Sequence, residues 1–292
     1  MKLKHALLAV IMLGIFTIPA SAVNFIVGAK SGYSVWKPYF REIPFLANLD
    51  SGSGILYGPV FSISFAEDFT FSLAGQFGTQ RAQGTNDFST VPSDSTKESQ
   101  ATFIWDSDRY DVDTALSYRI TSWLKVFAGY KIQYVDSTSR NTELRSIKSD
   151  HNLTDAYHEK LNIESLTHGP AIGVGFAYVF GKGFFGALNT SFVAMFGTFE
   201  ADIIFQNKFF GTNFPMVPET NLFSMNVDSI QLGVNIEPSI GYRSELGIMI
   251  TLGFRFQWLS SRLQDVPAEA EFLKKTLDDY VYGAIVSIMY AF

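Results

Sequence analysis

Cysteine is absent from the 292 residues, which excludes disulfides, thiolate metal ligands and cysteine nucleophiles. Charge is scarce: 17% of residues are Asp, Glu, Lys or Arg, against about 25% in a typical soluble chain. The 22 Lys and Arg face 28 Asp and Glu, for a net −6, and this acidic balance argues against a nucleic-acid partner, which requires a clustered positive surface. After residue 22 no stretch offers the roughly 18–20 uninterrupted apolar residues of a membrane helix. The nearest, 171–199, is broken by Gly173, Gly175, Gly181, Lys182, Gly183, Gly186, Asn189 and Ser191. No phosphate-cradling glycine loop occurs. Aromatics stand in place of the missing charge: 28 Phe, 13 Tyr and 4 Trp in a chain that is 47% hydrophobic, although mean hydropathy is only +0.12.

Residues 1–22 read as a secretory leader. Lys2, Lys4 and His5 precede an apolar run from Ala6 to Ile18, then Pro19 and the small triplet Ala20-Ser21-Ala22. The run is short for a bilayer span, so cleavage after Ala22 is expected, leaving one domain over 23–292. Losing Lys2 and Lys4 takes the basic count from 22 to 20 against 28 acids, a net of −8. An exported chain without cysteine points to the bacterial envelope rather than to a disulfide-stapled secreted fold.

The rest alternates with period two, the pattern of strands with one apolar face. Leu246, Ile248, Ile250, Leu252, Phe254, Phe256 and Trp258 lie on one face, opposed by Gly247, Met249, Thr251, Gly253, Arg255 and Gln257. Ile230, Leu232, Val234, Ile236, Pro238, Ile240 and Tyr242 repeat the pattern before a turn at 243–245. Extended along the chain, the rhythm predicts ten strands near 24–35, 54–66, 69–79, 108–120, 124–135, 169–180, 184–197, 229–242, 246–259 and 279–292. Short turns then alternate with long connections at 36–53, 80–107, 136–168, 198–228 and 260–278. An even number of strands of about ten residues, with short turns at one end and long loops at the other, is the pattern of a transmembrane β-barrel.

The last strand carries the most specific signal. Tyr280, Tyr282, Ala284, Val286, Ile288, Tyr290 and the final Phe292 alternate with Val281, Gly283, Ile285, Ser287, Met289 and Ala291. This resembles the C-terminal strand of Gram-negative outer-membrane β-barrel proteins. The resemblance implies an all-β, single antiparallel barrel in the bacterial outer membrane, with Tyr290 and Phe292 in the segment read by the barrel-assembly machinery. Aromatic girdles are expected from Tyr33, Trp36, Trp105, Tyr110 and Trp258 on the loop side, and from Phe65, Phe69, Trp123, Phe180, Phe184 and Phe292 on the turn side.

If the apolar faces meet lipid, the opposite faces line a lumen. Asp111, Asp113, Lys125, Lys131, Glu237 and Arg255 are then the luminal charges. A turn centred on Ser122 sets Asp113 across from Lys131, a pairing that either ties the strands together or forms a selective constriction. Ten strands lie between barrels that side chains nearly fill and those with an open channel. Inward Gly129, Ala171, Gly173, Gly175, Ala177, Gly233 and Gly253 favour some free space. The connections 80–105 and 137–167 are polar, whereas 199–225 carries Ile203, Ile204, Phe205, Phe209, Phe210, Phe214, Met216, Val217, Leu222 and Phe223 and is expected to fold into the mouth or extend its hairpin. Residues after Pro267 suggest a short helix.

Enzymatic and metal readings draw little support. Omptin proteases, also ten-stranded, use an Asp-Asp pair facing an Asp-His pair; Asp106 and Asp108 could imitate the first, but Asp150-His151 and Asp155 with His158 have the wrong spacing for the second. His168 lacks the neighbouring serine of a barrel phospholipase. A metal site from Asp150, His151, Asp155 and His158 is weaker than their reading as solvated loop residues. The expectation is a non-enzymatic barrel without cofactor: a narrow pore or small-ligand passage protein whose lumen charges set selectivity, in contact with outer-membrane lipid. The alternative is an adhesin-like barrel whose outer loops bind a surface ligand.

Overall fold

The computed structural model describes residues 23–38, 51–90, 97–147, 153–210, 220–268 and 276–292. The leader, the apolar tip 211–219 and nearly all of the segment after Pro267 lie outside the described residues. The described residues form ten strands: β1 (Asn24–Lys37), β2 (Gly52–Phe65), β3 (Phe69–Thr90), β4 (Lys97–Arg119), β5 (Leu124–Ile147), β6 (Leu153–Gly181), β7 (Phe184–Phe210), β8 (Thr220–Arg243), β9 (Ile248–Leu263) and β10 (Leu277–Ala291). Each pairs antiparallel with its neighbours in sequence, and β1 pairs with β10 to close the barrel. Closure leaves no sheet edge, so every strand finds ladder partners on both sides, as a bilayer demands.

The registers fix the barrel's shear. From Asn24 the ladder runs through Ser64, Thr70, Ser117, Phe127, Gly173, Ser191, Asn235, Gln257 and Val281 to Trp36. It returns to β1 twelve residues further on (36 − 24). Strands in such a barrel tilt by roughly 35–45°. Both described chain ends and the four tight turns share one end, the periplasmic one by the usual orientation. The tightest turn has Gly181, Lys182 and Gly183 at φ of 102°, 51° and 84°, a left-handed run that glycine takes without steric cost.

Strand number and turn-side boundaries match the sequence reading, with one shift: β9 begins at Ile248, so Leu246 belongs to the turn. The loop-side boundaries differ greatly. Much of 80–107, 136–168 and 198–228, expected to be loops, is strand, and β6 reaches 29 residues while β1 has 14. The described parts of the apolar stretch 199–225 extend its hairpin, Phe199 pairing with Val227 and Ala201 with Met225. Crossing a bilayer takes only about 9–11 residues per strand, so β3 to β8 rise well above it as a tall wall beside a short one formed by β9, β10, β1 and β2.

The two storeys of this barrel have opposite polarity on an unbroken pleat. In β4 the outward Tyr118, Leu116, Val112 and Tyr110 are exposed large hydrophobics, while Ser117, Asp111 and Arg109 are buried inside. Higher on the same strand Asp108 faces out and Trp105 is 1% exposed inside. β5 repeats the exchange from Tyr130 and Ile132 out with Lys131 and Gln133 in, to Asp136 out and Val135 in. β8 repeats it from Leu232 and Ile236 out to Asp228 and Asn226 out, with Val227 and Met225 in. The lower storey is therefore apolar outside and polar inside; the upper storey is built like a soluble domain.

Candidate functional site

The luminal face of the lower storey gathers charges from five strands. Asp113 pairs with Lys131 in register, and the lysine Nζ lies 2.9 Å from Asp113 Oδ1 and 3.8 Å from Asp111. Arg255, on the opposite wall, reaches Asp111 and Asp113 at 3.7 Å each and Glu237 at 3.4 Å. Its guanidinium also donates to Gln76 and, at 2.9 Å, to Gln257. Arg109 lies 3.2 Å from Asp111 and 4.0 Å from Asp279, whose carboxylate accepts from the Trp36 indole. β4 and β9 are five strands apart in a ring of ten, so the Arg255 pairs bridge the full width of the lumen.

Three cations and four carboxylates thus share one layer. Arg109, Asp111, Lys131, Arg255 and Asp279 are each under 5% exposed. Ions held this far from water require both Coulombic and hydrogen-bond partners, and the amides Gln76 and Gln257 complete the set. Five of the six charges expected in the lumen, Asp111, Asp113, Lys131, Glu237 and Arg255, meet here. Lys125 does not: it sits nearer the periplasmic mouth. Arg109, Asp279, Gln76 and Lys30 were not foreseen. Arg109 continues the inward parity of Asp111 and Asp113; Asp279 lies at the edge of its predicted strand, and only tertiary proximity links it to Arg109.

Directly above the charges lies an apolar layer in which Trp36, Trp105, Ile163, Phe199, Leu277 and Val281 are all 3% exposed or less. Trp36 and Trp105 therefore belong to the interior rather than to the loop-side girdle, because at their height inward positions have turned apolar. Tyr33 and Tyr110 do face outward on that side, as do Trp123, Phe180, Phe184 and Phe292 on the other. Met195 and Leu259, at 0% and 1% exposure, extend the seal downward.

Below the charges the lumen opens. A cavity of 190 Å³ is bounded by Lys30, Asp113, Lys125, Lys131, Asn189 and Glu237 among others. It shares Ser117 and Lys125 with a 480 Å³ vestibule at the turn end, where Arg119, Thr121 and Asp68 line the rim. Gly129 and Ala171 border the cavity and Gly175 and Ala177 the vestibule, in keeping with the expected space. The space at Gly173 is instead filled by the Phe127 ring, at Gly175 partly by the Lys125 stem, and at Gly233 by Leu259.

Asp106 and Asp108 do not face the mouth across the barrel. Asp106 meets Arg81 at 2.6 Å and Asp108 accepts from Thr79 at 2.5 Å on the outer surface. His168 also faces outward, beside Tyr130. Asp150, His151, Asp155 and His158, read from the sequence as solvated loop residues rather than metal ligands, lie outside the described residues or side chains, and among the described residues no three His, Cys, Asp or Glu form a metal-binding group.

A closed antiparallel barrel with an apolar exterior belt, a charged interior and its turns and termini at one end is a transmembrane β-barrel, the class that stands in the Gram-negative outer membrane. The chain matches no family model, and no curated protein matches it. Among solved structures it is similar to the outer membrane protease OmpT from Escherichia coli, at 11% identity over 95% of this chain and 99% of that one, with a TM-score of 0.46. It is also similar to the Pseudomonas putida toluene transporter TodX, at 10% identity over 93% and 90% of the two chains and a TM-score of 0.31. A third is the translocator domain of the autotransporter NalP from Neisseria meningitidis, at 8% identity over 99% and 95% and a TM-score of 0.33.

Proposed function

We propose that the barrel is a small-solute passage protein at rest in a closed state, without catalytic chemistry, its luminal charges acting as filter and the apolar layer above them as gate. The observation that carries this reading is the 190 Å³ cavity bounded by the Lys131, Asp113 and Glu237 side chains, which shares Ser117 and Lys125 with the vestibule at the turn end. Rings of charge select permeant species by sign, and apolar constrictions gate by excluding water.

Planar-bilayer recording of the refolded protein tests it. The native barrel is expected to show small, intermittent conductance. Replacing Trp105 and Phe199 together by Ala is expected to raise open probability severalfold, and Asp113→Asn to change the cation-to-anion permeability ratio. Absence of conductance from both native and gate-variant protein, each shown folded by its shifted migration on unboiled gels, overturns the proposal.

A second reading has its own support: the strands of the tall wall, β3 to β8, rise far from the bilayer on one side only, a geometry suited to binding a surface partner. Shortening the tips around 148–152 and 211–219 is expected to abolish such binding; unaltered cell-surface binding overturns it. Assembly contact is proposed for Tyr290 and Phe292, whose rings pack edge-on at 4.7 Å on the barrel exterior.

A further inference from the structure

The luminal carboxylates all make ion pairs within 4.0 Å, whereas two luminal lysines make none among the described residues. Asp111 and Asp113 answer Lys131 and Arg255, Asp279 answers Arg109, and Glu237 holds both Arg255 and the Asn235 amide at 3.3 Å. Lys30 on β1 and Lys125 on β5 border the 190 Å³ cavity from nearly opposite walls. Among the described residues neither lies within ion-pair distance of a carboxylate. The cavity wall carries three lysines, Lys30, Lys125 and Lys131, against two carboxylates, Asp113 and Glu237. Its electrostatic surplus is positive although the chain as a whole is acidic.

Asn189, Ser72 and Ser191 line the same cavity and add neutral hydrogen-bonding groups to the lysines. The space far exceeds that of a single water, which needs roughly 10–15 Å³ by this measure. We infer that the cavity is a binding site for a small oxyanion of phosphate size, held between Lys30 and Lys125 and entered from the periplasmic vestibule. The lysines supply the charge that a neutral recess would lack, and the serine and asparagine side chains of the wall give several oxygens of one anion something to bond, which a halide cannot use. The site deepens the passage reading by naming its solute class, and it rests on that reading for its use in the cell.

The test is calorimetric titration of inorganic phosphate into the full chain folded in detergent micelles, with chloride as the comparison anion. Saturable phosphate binding is expected, weakened at least tenfold by Lys125→Gln and abolished in the Lys30→Gln, Lys125→Gln double variant. Lys182→Gln, which removes the same charge from an exposed periplasmic turn, is expected to bind as the native chain does. Equal binding by the double variant, or no saturable phosphate binding by folded native protein, overturns the site. Chloride competing as strongly as phosphate overturns the oxyanion class. Phosphate binding that survives in a barrel with no conductance sinks the passage reading and keeps the site; conductance whose anion selectivity is unchanged in the double variant does the reverse.

Discussion

The lower and upper storeys of the barrel use one continuous pleat to solve opposite solvation problems. Within the bilayer Leu116, Ile132, Leu232 and Leu252 face out, and Arg109, Asp111, Lys131 and Arg255 are enclosed. Above it Asp108, Asp136, Glu164 and Glu200 form an outward row on four adjacent strands, in register from β4 to β7, while Trp105, Ile163, Phe199 and Val227 pack inside. The strands neither bulge nor slip where the exchange occurs in β4 and β5. Backbone pairing thus sets the geometry, and the medium alone sets which face must be greasy. Lipid demands apolar contact outward; water above it demands the reverse.

The largest effect that can strain this contrast is removal of the carboxylate at the centre of the charged layer. Asp111→Ala leaves Arg109, Lys131 and Arg255 short of their shared partner. A buried charge deprived of its partner costs about 3–5 kcal/mol. Urea unfolding in lipid vesicles is expected to show a correspondingly lower midpoint, and an unchanged midpoint would mean that water already solvates the layer. A smaller but sharper comparison uses one face of one strand. Leu116→Arg, near mid-bilayer, is expected to cost about 2–4 kcal/mol, whereas Asp108→Arg, four pleats higher on the same outward face, is expected to stay within about 0.5 kcal/mol. Equal penalties in vesicle refolding would place both residues in the same medium and dissolve the two-storey account.

The smallest effect concerns pH. Burial, followed by the neighbouring Glu164 and Asp108 carboxylates, pushes the Asp136 carboxyl above its usual value. A carboxyl raised in the folded state binds its proton more tightly there than in the unfolded chain, so stability falls as pH climbs from the ordinary value through the raised one. Asp136→Asn is expected to be slightly stabilising at neutral pH, by about half a kcal/mol or less for a surface site, and neutral at low pH. Urea midpoints measured across pH 3–8 check the sign; a variant less stable than the native chain at pH 7 contradicts it.

The same polarity exchange explains what could be read from the sequence. Apolar-outward alternation located the strands over 108–120, 124–135 and 229–242 and placed the Asp113–Lys131 pair by simple symmetry about Ser122. It stopped at Asp108, Val135 and Ser229, where the outward residues turn polar and the signal of a lipid-facing strand disappears. Serines such as Ser107 and Ser137, which hydrogen-bond each other at 2.7 Å inside the barrel, looked like loop composition because hydroxyls serve loops and narrow interiors equally well. Arg109 was within reach of the parity argument. Asp279 and Trp36 were not, since neither their separation in sequence nor their type reveals that they share a hydrogen bond.

The sequence by itself determined the strand count, the turn-side boundaries, the membrane-facing residues and most of the luminal charges, because period-two burial against lipid is a local property of each strand. Only the tertiary structure decided that Arg255 bridges the lumen to β4, that the tryptophans turn inward, and that Lys30 and Lys125 are left over beside a cavity. Those outcomes depend on shear and closure, which bring distant strands to one height, and no local pattern encodes the diameter across which two side chains must meet.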